Sequence, residues 1–582
     1  MSHLSLNPES SVKPSICSIL ALHAERFPDR PLFVFPETRW RGAASLTFAD
    51  LAARGGAAAR AILSLARPGD RALLMFPTGP EFWEAFFGCL AAGVIAVPLK
   101  TPNLNRPSEQ LERVVRDCAP TLIIADDESA GLLNKRADLH PYLAGVRVLD
   151  PSAWRGESAG LTADPAPNDL AYLQYTSGST SQPKAIQISH ANLLANLELI
   201  RDRMDVEFAA ERTVTWLPHF HDMGLVGSYL GSILNVVTAW CLPPEEFGLY
   251  PQRWLQLISE HRATICGGPN FGFRHCLEKV KDADLAGLDL SSWRVAFIGA
   301  ERIQPETLGG FVDRFAPSGF RANALFPCYG LGEATLLVTG GPADAPPVLR
   351  TVSRQAQLQN RLAPPLDEAD HITLSGCGQT GAGCEVVIGD PSNGTPLPDE
   401  SIGEVLVRGP AVTRGYYRRD DINAQLFREG NINGETRRYL RTGDLGFLSD
   451  GELFITGRRK ELMIVRGRNL YPDDLEGALD GVHESLAPGR AVAFSCDHDG
   501  QEALFVAAEL RRSALKLESA EPVFAAIRAK IVQTFGVNPQ EIILLRPATI
   551  PSTSSGKLQR LQVRESYATG RLDRLFSERS GD

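Results

Sequence analysis

Between positions 175 and 184 the chain reads Tyr-Thr-Ser-Gly-Ser-Thr-Ser-Gln-Pro-Lys. Hydroxyls at Thr176, Ser177, Ser179 and Thr180, the flexible Gly178 and the cation of Lys184 are groups suited to surround a polyphosphate. Backbone N–H groups of such a loop form an anion nest, hydroxyls donate hydrogen bonds or ligate Mg²⁺, and the lysine neutralises charge. The spacing is not GxxxxGK[ST], which excludes the Walker P-loop. An apolar strand pattern over 171–174 precedes the loop and a helical pattern begins at Ala191, so the segment lies between regular elements rather than in a linker.

Further chemically capable side chains lie downstream, each with an ordinary reading when taken alone. His221, in Trp216-Leu-Pro-His-Phe-His-Asp-Met-Gly-Leu225, has the alternative of simple packing. Asp444 closes Arg441-Thr-Gly-Asp444, which also describes a Gly-Asp hairpin turn. Lys557 ends the Ser/Gly loop Pro551-Ser-Thr-Ser-Ser-Gly-Lys557, and Gly457-Arg-Arg-Lys-Glu461 is a charge run. No Ser-His-Asp or Cys-His motif for nucleophilic catalysis is present. The ten cysteines include no CxxC, and the closest pairs, Cys266/Cys276 and Cys377/Cys384, lack zinc-site spacing, so reduced thiols in a cytoplasmic protein are expected.

Taken together and in order, these segments resemble the signatures of the adenylate-forming enzymes, the superfamily of acyl-CoA synthetases, nonribosomal adenylation domains and luciferases. The loop departs from the usual form where Ser181 and Ala185 replace glycine. The resemblance implies ATP and Mg²⁺ as cofactors, with Thr176 and Glu333 on the metal and Thr176, Ser177, Gly178, Ser179, Thr180 and Lys184 on the phosphates. It places His221 near the substrate carboxylate. Gly299-Ala-Glu301 and Pro327-Cys-Tyr-Gly-Leu-Gly-Glu333 resemble the adenine-binding pair, so Gly299, Ala300, Glu301, Cys328 and Gly330 surround the base and Tyr329 stacks on it. By the same match Asp444 accepts from the ribose hydroxyls, Arg458 reaches a phosphate or ribose, and Lys460 is the interdomain hinge. Lys557 enters the site only for adenylation, which makes Lys557, His221 and Glu333 the implied catalytic set.

Several details resemble the fatty acyl-AMP ligases more than the acyl-CoA ligases. These are Leu217-Pro-His-Phe-His-Asp-Met-Gly-Leu225, Cys328-Tyr-Gly-Leu-Gly-Glu-Ala-Thr-Leu-Leu337 with Leu336, and Ile464-Val-Arg-Gly-Arg-Asn-Leu-Tyr-Pro472. An extra segment, about 350–373, stands ahead of Ser375-Gly-Cys-Gly378, where an insertion in that family restrains the C-terminal domain and disfavours transfer to CoA. The implied activity converts a fatty acid and Mg-ATP to acyl-adenylate and pyrophosphate, then passes the acyl group to the phosphopantetheine arm of an acyl carrier protein. With the chain ending at Asp582, that carrier is expected in trans. A fatty acyl-CoA synthetase is the alternative. A catalytically dead scaffold would have lost Lys557, Glu333 or Asp444, and all three are present. The uncharged stretch 223–240 and Gly267-Gly-Pro-Asn-Phe-Gly-Phe273 fall where the family builds its acyl tunnel, and neither carries the acidic residue that holds an amino group.

The elements that must position these residues follow from hydrophobic patterning. Short apolar runs at 72–76, 94–98, 121–125, 146–149, 171–174, 263–266 and 295–298 alternate with helical segments such as 107–117 and 192–203, the pattern of parallel sheets covered on both faces. Beyond about 384, alternating strands at 385–388, 404–408, 440–442 and 452–455 predict a small antiparallel unit. Strands at 491–495, 504–509 and 542–545 predict a final α+β unit. The expected fold is α/β: a large AMP-binding N-terminal domain over 1–457 and a small mobile C-terminal domain over 458–582. At 582 residues, 43% hydrophobic and 22% charged, the composition is that of a globular protein. The net charge of −10 argues against a nucleic-acid coat. Residues 1–14 are too polar for a secretory signal, and neither 86–99 nor 223–244 supplies the roughly 20 apolar residues of a membrane span.

Overall fold

The computed structural model describes residues 15–161, 165–176, 183–432, 435–498, 501–552 and 557–580. Aliphatic runs buried on both faces form a six-stranded sheet in the order Arg147–Leu149, Leu122–Ala125, Arg71–Met75, Ile95–Leu99, Leu170–Thr176, Lys184–Ser189. All neighbours are parallel except the last pair. A second sheet runs Ile265–Pro269, Val295–Gly299, Leu325–Gly330 in parallel, then Leu337–Gly340 and Gln379–Thr380 antiparallel. The expected parallel strands are found with ends shifted by up to three residues.

Several strands escaped the patterning, among them Pro31–Phe35, Arg212–Thr215, Leu325–Gly330 and Lys184–Ser189. Lys184–Ser189 is a strand antiparallel to Leu170–Thr176, so the Ser/Thr loop caps a hairpin and does not lead directly into the helix. Its neighbours Ala185 and Ile186 point to opposite faces and both are wholly buried, with Ile186 and Ile188 in one core cluster and Ala185 in another, so the strand is covered on both faces there. The open edge is met by Gly415–Tyr417: Gln187 N–H donates to Gly415 O at 3.0 Å and Tyr417 N–H to Ala185 O at 2.8 Å.

Ser189 ends that strand and, with Asn192, forms a capping box that starts the helix His190–Arg203. The Asn192 amide also donates to Pro410 O and Val412 O at 2.8 and 3.1 Å. One turn on, the wholly buried Asn196 donates to Leu337 O at 2.8 Å and accepts from Leu337 N–H at 3.0 Å. The helix thereby fixes two turns, one of which carries Glu333. The uncharged stretch is a buried helix, π-helical over Met223–Leu230 and α-helical over Gly231–Asn235, running into the strand Thr238–Cys241. Among the described residues no helix is long and apolar enough to cross a membrane.

The antiparallel unit joins Glu385–Gly389, Gly403–Arg408, Phe427–Ile432, Glu435–Ser449 and Glu452–Arg458. Further on, Leu486–His498, Gln501–Leu510, Glu541–Leu545 and Phe576–Arg579 make a four-stranded sheet against the helix Glu521–Phe535. The insertion is a hairpin: Leu349–Ser353 pairs with His371–Ser375, and the short helix Arg354–Gln357 leads into its loop. Leu358, 6% exposed, is buried among Met463, Leu470 and Leu475 of the C-terminal core, in which every other buried member lies beyond residue 460. Its carbonyl accepts from Asn469 N–H at 2.9 Å, and Tyr471 O–H bonds the Asn360 side chain at 3.1 Å.

Leu358→Ala removes a plug from this foreign core, and the expected cost is about 2–5 kcal/mol. Chemical denaturation followed through the C-terminal unit should show that loss; an unchanged midpoint would mean that Leu358 is not buried there.

Candidate active site

A cleft opens where the second sheet and the antiparallel unit face the C-terminal unit, lined by Phe271, Glu301, Tyr329, Asp444 and Arg458 on one side and Asp473, Glu476, Lys557 and Arg560 on the other. Asp444 and Arg458 are cross-strand partners in the antiparallel unit. Tyr329 is the penultimate residue of the strand Leu325–Gly330. The Tyr329 hydroxyl donates to Asp444 Oδ2 at 2.6 Å, and Arg458 Nε lies 3.2 Å from Oδ1. The Asp444 charge holds the Arg458 guanidinium above its ordinary pKa, and burial followed by that same charge pushes Tyr329 far up. Both groups therefore keep their protons at neutral pH. Next to Tyr329, a Cβ on Gly330 would stand 2.0 Å from Leu336 O, so only glycine fits this turn.

The strand Val295–Gly299 delivers the other half of the expected base site. Gly299 packs against Cys328, where a Cβ would lie 2.7 Å from its carbonyl. Ala300 takes φ +66°, a left-handed backbone that costs a non-glycine residue energy and turns Glu301 into the cleft. Glu301 accepts the Phe271 N–H at 2.5 Å. Burial raises its pKa, opposed by that hydrogen bond and by the charges of Lys557 and Arg274.

At the hairpin of the Ser/Thr segment, the backbone of Thr176 pairs with Lys184. Ser177, Gly178, Ser179 and Thr180, like the side chain of Thr176, lie outside the described residues. The hairpin is anchored by Tyr175, whose hydroxyl donates to Asp117 at 2.7 Å, while Arg419 closes an ion pair on the same carboxylate. Lys184 Nζ stands 5.4 Å from the Tyr416 ring centre, and the Tyr416 hydroxyl donates to Glu333 Oε1. Burial, then the charge of Lys460, lowers the Lys184 pKa, with Glu333 opposing. Among the described residues no group of three His, Cys, Asp or Glu could hold a metal alone. A Mg²⁺ at Glu333 would rest on one carboxylate plus phosphate and water oxygens, the usual habit of that ion, so the residues present fit it.

The two histidines of one motif have opposite environments. His219 is buried against Phe82, ring centres 4.2 Å apart, and burial pushes its pKa down to about 3, so it packs as a neutral ring. His221 pairs through Nδ1 with Asp222 Oδ1 at 2.8 Å. Burial depresses it, but the charge and hydrogen bond of Asp222 prevail and its pKa is raised. Asp222 also accepts the Met223 N–H at 2.7 Å, at the start of the π-helical segment. A Cβ on Gly332 would come 3.5 Å from Asp222 Oδ2, so this pair sits beside the Glu333 turn.

Lys557 extends into the cleft, where burial and then the Arg458 charge lower its pKa while Glu461, Asp473 and Asp444 raise it. Residues 553–556 of its loop lie outside the described residues. Lys460 is exposed on the turn after the strand Glu452–Arg458. Trp216 stacks on Phe247 at 3.8 Å, edges onto Phe271 at 5.6 Å, and fills the space over Gly268 and Gly272, where a Cβ would meet it at 2.8 and 2.6 Å. An aromatic wall thus runs from the cleft at Phe271 into the core. Sequence reasoning missed Tyr416, which joins Lys184 to Glu333, and the Asp117–Arg419 anchor; the run Arg414-Gly-Tyr-Tyr-Arg-Arg419 was the available signal.

Residues 20–417 match the profile of the AMP-binding enzyme family. The chain is 35% identical over 542 residues to a medium-chain-fatty-acid–[acyl-carrier-protein] ligase of Moorena producens, covering 91% of each. It is 34% identical over 582 residues to a 4-hydroxyphenylalkanoate adenylyltransferase of Mycobacterium marinum, covering 96% of this chain and 92% of that one. In fold it is similar to a solved structure from a study of fatty acyl-adenylate ligases of E. coli and L. pneumophila, with TM-score 0.85, 34% identity, and 96% and 98% of the two chains covered. The chain belongs to the AMP-binding enzymes and, among them, stands with the fatty acyl-AMP ligases.

Proposed function

We propose that this protein activates a fatty acid with ATP to an acyl-adenylate and passes the acyl group to the phosphopantetheine thiol of a separate acyl carrier protein. The observation that carries this reading is the convergence of Lys557 from the C-terminal unit on the same cleft as Tyr329, Asp444 and Arg458. Its likeness to a fatty-acid–carrier-protein ligase over 91% of the chain supports the acceptor.

In the reaction a carboxylate oxygen attacks the α-phosphorus, the bond to the β-phosphate oxygen breaks, and pyrophosphate leaves with the electron pair. The adenine lies against Tyr329 between Gly299-Ala300-Glu301 and Cys328–Gly330, while Asp444 takes the ribose hydroxyls. Lys184 and the Ser/Thr hairpin hold the departing phosphates, with Arg458 at a phosphate or the ribose. Glu333 and the Thr176 hydroxyl would hold a Mg²⁺, which would supply charge neutralisation there. His221, favoured in its charged form by Asp222, orients the substrate carboxylate. Lys557 places its ammonium between that carboxylate and the α-phosphate, where negative charge grows in the transition state. The acyl chain follows the aromatic wall past Phe271 and Trp216. The carrier thiolate then attacks the acyl carbon and AMP leaves.

The separation of the C-terminal core from the larger one supports a boundary near 457/458, with Lys460 as pivot. The Leu358 plug supports a restraint on the rotation needed for transfer to free CoA.

Two measurements test this reading. With Mg-ATP and a panel of medium- and long-chain fatty acids, acyl-AMP should accumulate without acceptor, persist with free CoA and be consumed by phosphopantetheinylated carrier protein. Rapid acyl-CoA formation would instead make the protein a fatty acyl-CoA synthetase, and no adenylate with any acid would refute fatty-acid activation. Replacing residues 354–370 by Asn-Gly keeps the strands Leu349–Ser353 and His371–Ser375 joined by a two-residue hairpin turn. Acylation of CoA should rise in that variant. No rise in a folded protein would remove the insertion as the restraint.

A further inference from the structure

Three residues beyond Lys557, Arg560 opens the helix Arg560–Ala568 with its side chain one-tenth exposed. It grips three carboxylates from two other segments. Its Nε and Nη2 donate to both oxygens of Glu476 at 2.7 and 2.6 Å, Nη2 also donates to Asp473, and Nη1 donates to Glu461. Asp473 and Glu476 share one face of the helix Pro472–Ala478, and Glu461 follows directly on Lys460. Glu476 is held further by the Ala493 N–H at 3.0 Å. Only a planar fork with five donors can satisfy this set; an ammonium is a point charge that cannot match both oxygens of one carboxylate and reach two more.

The chain between Arg560 and Lys557 is tied at each step. Gln559 N–H donates to Pro551 O at 2.9 Å, and Leu558 forms a bridge with Ser552, closing the base of the loop. The limb leading into the loop is equally fixed. Buried Glu509 accepts from Ile550 N–H at 2.7 Å and Ala548 N–H at 3.0 Å and pairs with Arg490, which itself donates to Ile550 O. Lys557 is therefore the first described residue on a limb whose last fixed side chain is Arg560. The same carboxylates, Glu461 and Asp473, also contribute to the field on the Lys557 ammonium.

We propose that Arg560 is the positioning residue for Lys557: by gathering Glu461, Asp473 and Glu476 it both anchors the lysine loop and occupies the carboxylates that would otherwise hold the ammonium against their own wall of the cleft. The inference rests on the adenylating role of Lys557. Without Arg560, Asp473 and Glu461 lose the cation that satisfies them, and their charge, which already acts on Lys557, would turn it from the reacting phosphate towards them. Displacement of a catalytic group by about 1 Å costs on the order of 100-fold in rate.

The test compares wild type, Arg560→Lys and Glu476→Gln in ATP–pyrophosphate exchange with dodecanoate, alongside binding of dodecanoyl-sulfamoyl-adenosine. Arg560→Lys keeps the charge and loses the fork, and Glu476→Gln loses only the doubly bonded acceptor. Both should lower kcat, Arg560→Lys by at least 10-fold, with KM for ATP and dodecanoate and the affinity for the sulfamate within about threefold of wild type. A parallel fall in kcat and sulfamate-binding capacity in both variants would mark a merely structural role and overturn the proposal. So would an unchanged kcat in either. If Arg560→Lys fails to fold, Glu476→Gln decides by the same kcat-against-binding split. Failure of the wild type itself to exchange pyrophosphate would fall on the adenylation reading and not on Arg560.

Discussion

A single buried carboxylate, Asp444, ties the sheet that presents Tyr329 to the antiparallel unit that presents Arg458. A carboxylate removed from water is tolerated only when its oxygens are bonded and its charge opposed. Here one oxygen takes a phenol and the other faces a guanidinium, so neither sheet can shift without exposing an unpaired acceptor. That constraint sets the floor of the cleft. The left-handed Ala300 and the crowded Gly330 lie at the ends of two neighbouring strands that open onto this cleft.

The opposite wall is held by the same economy of charge. Arg302 pairs with Asp474 and Arg274 with Asp480 at 2.6 Å across the cleft, and Asp480 also accepts the Gly489 N–H. Pairs of this kind return little net stability after desolvation, because the attraction is spent on dehydrating both partners. What they fix is register: a wrong docking leaves a buried charge alone. The hydrophobic contribution comes from elsewhere, above all from Leu358, a residue of the inserted hairpin built into the C-terminal core. Apolar burial supplies adhesion and the ion pairs supply alignment.

Much of this was legible in the sequence, and for identifiable reasons. Strands such as Arg71–Met75, Leu122–Ala125 and Val295–Gly299 are short apolar runs buried on both faces, so their existence was readable while their ends were not. The motifs were readable because each keeps its chemistry within a few residues. What escaped is long-range or locally disguised. Lys184–Ser189 mixes polar and apolar residues and becomes a strand only because Leu170–Thr176 and Gly415–Tyr417 flank it. Leu358 lies in a Gln-rich stretch, and the residues that bury it come more than a hundred positions later. Tyr416 bonds Glu333 across 83 positions, a distance over which no periodicity carries information.

The central claim is that the ammonium of Lys557 is the mobile charge that completes an otherwise preformed adenylation site. Acyl-adenylate formation by Lys557→Ala, measured by mass spectrometry beside wild type with Mg-ATP and dodecanoate, tests it directly. The account predicts no acyl-AMP above background, with ATP binding and the folded core retained. Adenylate formation at the wild-type rate would contradict it.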